Sequence, residues 1–125
     1  MPEHLIRLRG GWELLDADDA NSTPSPLTLP TAWAPHPAPR RLRLVRKFGA
    51  PAADRVRLAL EAVEGLRAIT LNGVPLAFDA TSADRLVVDL PPLGDRNVLT
   101  LDVDLAGPST VPSPLWGRIA LAIAE

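Results

Sequence analysis

The side chains able to do chemistry in this chain are its carboxylates, two loop tryptophans and a histidine, and their spacing limits what they do. Asp16, Asp18, Asp19 and Asn21 form a tight acidic run. Oxygen ligands this close together suit calcium. However, Ala20 occupies the third ligand position, and the glycine and distant glutamate of a helix–loop–helix calcium site are missing. The run reads as a solvated turn, which is the usual chemistry of clustered Asp and Asn, with no metal. A catalytic carboxylate pair would have to come from Asp16, Asp18, Asp19, Glu61, Asp79 or Asp84. Such a pair hydrolyses a glycosidic bond only when held across a cleft at a defined separation. These residues fall at turns or on wet strand faces and form no convergent group, so no enzymatic activity is expected. With no cysteine, thiolate nucleophiles, thiolate metal sites and disulfides are excluded.

Trp33 and His36 lie in a segment crowded by Pro24, Pro26, Pro30, Pro35, Pro37 and Pro39. Proline fixes φ and lacks an amide donor, so this stretch forms neither helix nor central strand. Leu27-Thr28-Leu29 is expected to make a brief edge strand within it. An indole on a loop has two uses: its electron-rich face stacks on the C–H face of a sugar, or its large apolar area pins the loop to the core. The second is the ordinary use and the favoured one for Trp33. His36, alone among prolines, makes neither a triad nor a metal site. Trp116 follows a second proline- and serine-rich loop, 107–114, and Arg118 lies two residues further on.

The elements that hold these loops alternate with a period of two. Val56, Leu58 and Leu60 alternate with Arg57, Ala59 and Glu61; Leu99, Leu101, Val103 and Leu105 alternate with Thr100, Asp102 and Asp104. Each run therefore has one dry and one wet face, the signature of a β-strand. Arg40 to Phe48 alternates likewise, with Arg41, Arg43, Val45 and Lys47 on the wet face. Short runs at Leu5–Leu8 and Trp12–Leu15 flank Gly10-Gly11. Asn72-Gly73 separates two further runs, and both residues tolerate the positive φ of a two-residue hairpin turn. Pro91 to Arg96 is expected to be a tight link with a single helical turn. In Leu115 to Ala124, Ile119, Leu121 and Ile123 share one face and Ala120, Ala122 and Ala124 the other, which favours strand over helix. That alanine-lined face is flat enough to be covered by another strand or a second copy.

Eight or nine short strands with close turns make an all-β, antiparallel β-sandwich. The 125 residues suit one domain spanning 1–125, large enough to fold without metal or disulfide. A net charge of −2 argues against a nucleic-acid partner held by phosphate neutralisation. No apolar run approaches the roughly 20 residues that span a bilayer. The start of the chain carries no apolar leader core, so a soluble cytoplasmic protein with no membrane partner is expected.

Several motifs run in order along the chain: Gly10-Gly11-Trp12-Glu13-Leu14, Pro30-Thr31-Ala32-Trp33, Arg40 to Phe48 before Pro51, and Leu58-Ala59-Leu60-Glu61-Ala62-Val63-Glu64-Gly65. Ile69-Thr70-Leu71-Asn72-Gly73, Gly94 to Val103 and Leu115 to Leu121 follow. In this order they resemble the N-terminal sugar-binding-like domain of family 2 glycoside hydrolases, the β-galactosidase and β-glucuronidase group. The resemblance implies a jelly-roll of the galactose-binding domain-like fold. In that family two glutamates on a separate barrel domain carry hydrolysis, so no catalytic residue and no cofactor transfers to this chain. It further implies a non-catalytic carbohydrate-binding-like module. Trp33 or Trp116 would stack on a sugar, Arg118, Asn72 or an Asp side chain would bond its hydroxyls, and His36 is a further ligand-binding candidate. The alternative is an interaction or scaffold domain that self-associates as a homodimer or docks onto a separate glycosidase chain.

Overall fold

The computed structural model describes residues 3–19, 21, 23–35, 39–51, 55–78, 85–105, 110 and 114–124. The first five strands are β1 (Glu3–Arg7), β2 (Trp12–Asp16), β3 (Ser25–Leu27), β4 (Arg40–Phe48) and β5 (Val56–Glu61). They are followed by β6 (Leu66–Leu71), β7 (Val74–Leu76), β8 (Arg85–Asp89), β9 (Asn97–Leu105) and β10 (Arg118–Ala124). Among the described residues there is no helix. The strands form a four-stranded sheet, ordered β1-β10-β5-β8, and a six-stranded sheet, ordered β3-β2-β4-β9-β6-β7. Neighbouring strands pair antiparallel.

Period-two alternation sets which side of each sheet is dry. Leu58 and Leu60 of β5, Ile119 and Leu121 of β10, and Leu86 and Val88 of β8 enter one core with Leu42 and Leu44 of β4 and the inward residues of β9. Each fully buried Leu or Ile contributes about 1.5–3 kcal/mol relative to exposure, so this shared layer holds the two sheets together. Trp12 is 1% exposed at the start of β2, and its indole Nε1 donates to the Leu8 carbonyl at 2.8 Å.

Three details differ from the sequence expectations. Ten strands form where eight or nine are expected, the shortest being β3 and β7, three residues each, at the edges of the larger sheet. The short edge strand is Ser25–Leu27 rather than Leu27-Thr28-Leu29; Leu29 instead packs in the core at 1% exposure. The link from Pro91 to Arg96 makes no helical turn: the Asn97 side chain bonds both the amide and the carbonyl of Gly94 and closes the link itself. The hairpin at Asn72-Gly73 is as expected, with Leu71 paired to Val74 and φ of 51° and 82° at the two turn residues.

Ala120 and Ala122 lie on the outward side of β10 yet are buried. Their cross-strand neighbours include Leu5, Arg7 and Arg57, whose side chains are far longer.

Candidate functional site

The structure brings Trp33, Trp116 and the start of β10 together, and places Asn72 elsewhere. Thr31 and Trp116 exchange two backbone hydrogen bonds, of 2.9 and 2.7 Å, which joins the proline-rich crossing to the segment before β10. The Trp116 indole Nε1 donates to the Glu64 carbonyl at 2.7 Å, and the Gly117 amide donates to the Ala62 carbonyl at 2.8 Å. The rings of Trp33 and Trp116 lie with centroids 5.5 Å apart and planes tilted by 51°. Tilted pairs suit the aromatic quadrupole and add about 0.5–1.5 kcal/mol beyond their buried area.

Left-handed backbone makes this junction possible. Ala62, Gly65 and Gly117 have φ of 55°, 84° and 87°. At Gly65 a β-carbon would collide with the Asp104 carbonyl oxygen; without one, the Asp104 amide reaches the Gly65 carbonyl at 2.8 Å. At Gly117 a β-carbon would press on Leu29 at 3.2–3.3 Å. These close approaches seat the 62–65 turn, Leu29 and the Trp116 segment against one another.

At 6% and 4% exposure, Trp33 and Trp116 belong to the core cluster. Trp33 thus does what the favoured sequence reading assigns it, pinning the proline-rich segment to the sandwich. Neither ring lies open on the surface. Around them Leu115 is 54% exposed, and Arg118 is exposed opposite Glu61. His36 lies outside the described residues, as do Asp79 and Asp84.

Asn72 sits at the other end of β6 from the Glu64–Leu66 turn, a strand length of about 20 Å away. Its side chain is engaged in structure. Its Oδ1 accepts from the Val98 amide at 2.8 Å, and its Nδ2 donates to Asn97 Oδ1 at 3.1 Å. Asn97 is fully buried and also donates to the Phe48 carbonyl. The sequence reading misses this residue, although a signal is present. Asn97 is in phase with Leu99, Leu101 and Val103, so an amide sits where the pattern demands an apolar group. Arg46, in sequence only one member of a basic strip, has a place of its own. It lies opposite Trp12 and Leu99, on the inward side of β4, and donates to the carbonyls of Gly10 at 2.8 Å and Lys47 at 3.2 Å. Burial lowers its pKa from the ordinary arginine value.

The acidic residues have local partners. Asp16 accepts from the Asp18 amide and Asp19 from the Asn21 amide, at 3.0 and 2.9 Å. Asp18 faces Arg41 at 3.8 Å, and Glu61 faces Arg85 at 4.0 Å. Among the described residues no three histidines or carboxylates gather as a metal site. Turn closure and cross-strand pairing account for these carboxylates.

The sequence matches no protein-family model and no curated protein. Its structure is similar to part of several solved glycosidases. An FMN-binding β-glucuronidase from Facaelibacterium prausnitzii L2-6 aligns with a TM-score of 0.73 at 17% identity, over 96% of this chain and 22% of that one. A β-glucuronidase from Ruminococcus gnavus, in complex with an N1-substituted uronic isofagomine, gives 0.74 at 13% identity, over 98% and 30%. A β-D-mannosidase from Dictyoglomus thermophilum gives 0.66 at 13%, over 95% and 22%. At these identities the likeness establishes the fold. The chain spans less than a third of the length of these enzymes.

Proposed function

We propose that the chain is a non-catalytic, carbohydrate-binding-like module, a relative of the β-sandwich that family 2 glycosidases carry beside their catalytic barrel. The observation that carries this reading is the fold likeness: nearly all of this chain aligns, and it aligns to under a third of each glycosidase. The chemistry of the chain is consistent with it, since Asp16, Asp18, Asp19 and Glu61 are engaged in turns and ion pairs. The binding surface in this reading is the rim over the tryptophan pair. Leu115 supplies apolar surface there and Arg118 supplies donors for hydroxyl or carboxylate oxygens, while Trp33 and Trp116 shape the rim from beneath.

Tryptophan fluorescence during titration with a panel of neutral and uronic mono- and oligosaccharides tests the reading. Binding at the rim is expected to give a saturable shift with one sugar class. Arg118→Ala, an exposed substitution that leaves the β-sheet circular dichroism intact, should abolish that shift. A flat response across the panel up to ~10 mM, the range of weak binding, would overturn the proposal.

A further inference from the structure

The outer face of the four-stranded sheet carries a charge pattern that matches itself. Cross-strand register fixes three rows on this face. One runs Arg7, Ala120, Ala59, Val87; a second runs Leu5, Ala122, Arg57, Asp89; the third runs Arg118, Glu61, Arg85. Successive rows are two residues apart along the strands, and the first row lies between the other two. Over β5 and β8, the second row therefore reads plus then minus and the third reads minus then plus. The middle row between them is short and apolar, with Ala59 and Val87. Val87 is 48% exposed, and Leu5, on the far edge strand, is 45% exposed.

We infer that this face is a homodimer interface, in which two copies stack face to face about a two-fold axis lying along the Ala120–Ala59–Val87 row. Rotation by 180° about that axis lays the second row of one copy over the third row of its partner. Arg57 then faces the partner's Glu61, and Asp89 faces the partner's Arg85. Symmetry repeats both pairs, as an isologous contact requires. Val87 meets the partner's Val87, and the small Ala59 beside it leaves room between the two charged rows. Within one chain, Arg57 lies 3.7 Å from Asp89 and Arg85 lies 4.0 Å from Glu61. A second copy adds an opposite charge above each of the four. Arg7 meets its own copy at the outer edge of the sheet, where both side chains reach solvent. A surface of four strands at ~4.8 Å spacing and five residues at ~3.3 Å rise covers roughly 320 Å² per copy, below the range of stable specific interfaces. The dimer is accordingly a weak, concentration-dependent one. This inference does not rest on sugar binding, which uses the rim over the tryptophan pair. Arg118 borders both surfaces, but in the dimer it faces the partner's Ala122 and makes no charge pair.

Sedimentation equilibrium of the full chain, from micromolar to ~1 mM, tests it across the range of weak association. The chain should pass from monomer to dimer, and Val87→Arg, at an exposed position, should remain monomeric throughout. The sharper test uses two charge reversals. Arg57→Glu alone sets a carboxylate against the partner's Glu61, and Glu61→Arg alone sets a guanidinium against the partner's Arg57, so each protein should be monomeric. In a mixture of the two variants, the introduced carboxylate at position 57 faces the introduced guanidinium at position 61. The unmodified Glu61 of the first variant likewise faces the unmodified Arg57 of the second, and dimer should return. A parent chain that stays monomeric to the highest concentration, a dimer indifferent to Val87→Arg, or a mixture no more dimeric than its components would each overturn the inference.

Discussion

The two ends of β6 are built from opposite materials. Near Leu66 the chain closes with a tilted tryptophan pair, Leu29 and glycines that admit close backbone approach. Near Leu71 it closes with two asparagines, bonded to each other and to the backbone of three segments. Both ends must satisfy backbone groups where strands stop, and burying such groups unpaired is costly. The aromatic end covers them with bulk and lets one indole N–H cap a carbonyl. The amide end answers them one by one. The first solution provides mass and rigidity; the second provides register.

Substitutions that exchange these solutions should show the difference. Trp116→Ala is expected to be the most damaging. It removes the ring pair, the core packing and the cap on the Glu64 carbonyl, and should cost about 3–5 kcal/mol in urea unfolding. An equally stable variant would mean that the pair is not what closes this end. Gly65→Ala comes next: the left-handed backbone and the collision with the Asp104 carbonyl together should lower stability by about 2 kcal/mol or more. Unchanged stability there would show that the turn relaxes freely. Asn97→Ala should cost about 1–3 kcal/mol by stranding the amide and carbonyl of Gly94. A double-mutant cycle with Asn72→Ala should show coupling of about 0.5–3 kcal/mol, since the two amides share a bond. Additive losses would reduce the amide end to independent contacts. The smallest effect is expected away from both ends. Arg43 bonds Asp102 at 2.9 Å on the exposed face of the larger sheet. Arg43→Ala should cost about 1 kcal/mol or less, and salt should shrink the difference further.

The aromatic end is the less legible of the two in sequence. Alternation exposes the central strands because a half-buried sheet demands it at each position. Asn72-Gly73 is legible because few residues accept two consecutive left-handed conformations. The association of Trp33 with Trp116 joins residues 83 positions apart, and no local pattern encodes a partner at that distance. The same holds for the Arg118 and Glu61 neighbours on β10 and β5. Pro91 to Arg96 misleads because proline and glycine mark a turn without saying what closes it. The closing group, the Asn97 side chain, acts from inside the next strand. The acidic run at Asp16 to Asn21 is legible as turn chemistry, because Asx side chains bond their own backbone two residues on.

The position of β10 has a consequence for how the molecule is made. This strand lies between β1 and β5, and it is the last of the ten to leave the ribosome. Until it emerges, the smaller sheet has a vacant lane, with β1 and the β5–β8 pair unable to meet. Unpaired strand edges of this kind invite pairing with other chains, and sheets dominated by distant contacts close slowly. The larger sheet, whose six strands all precede β10, can assemble first and shelter the core while the lane waits. The smaller sheet therefore cannot close until β10 is available to pair with β1 on one side and β5 on the other.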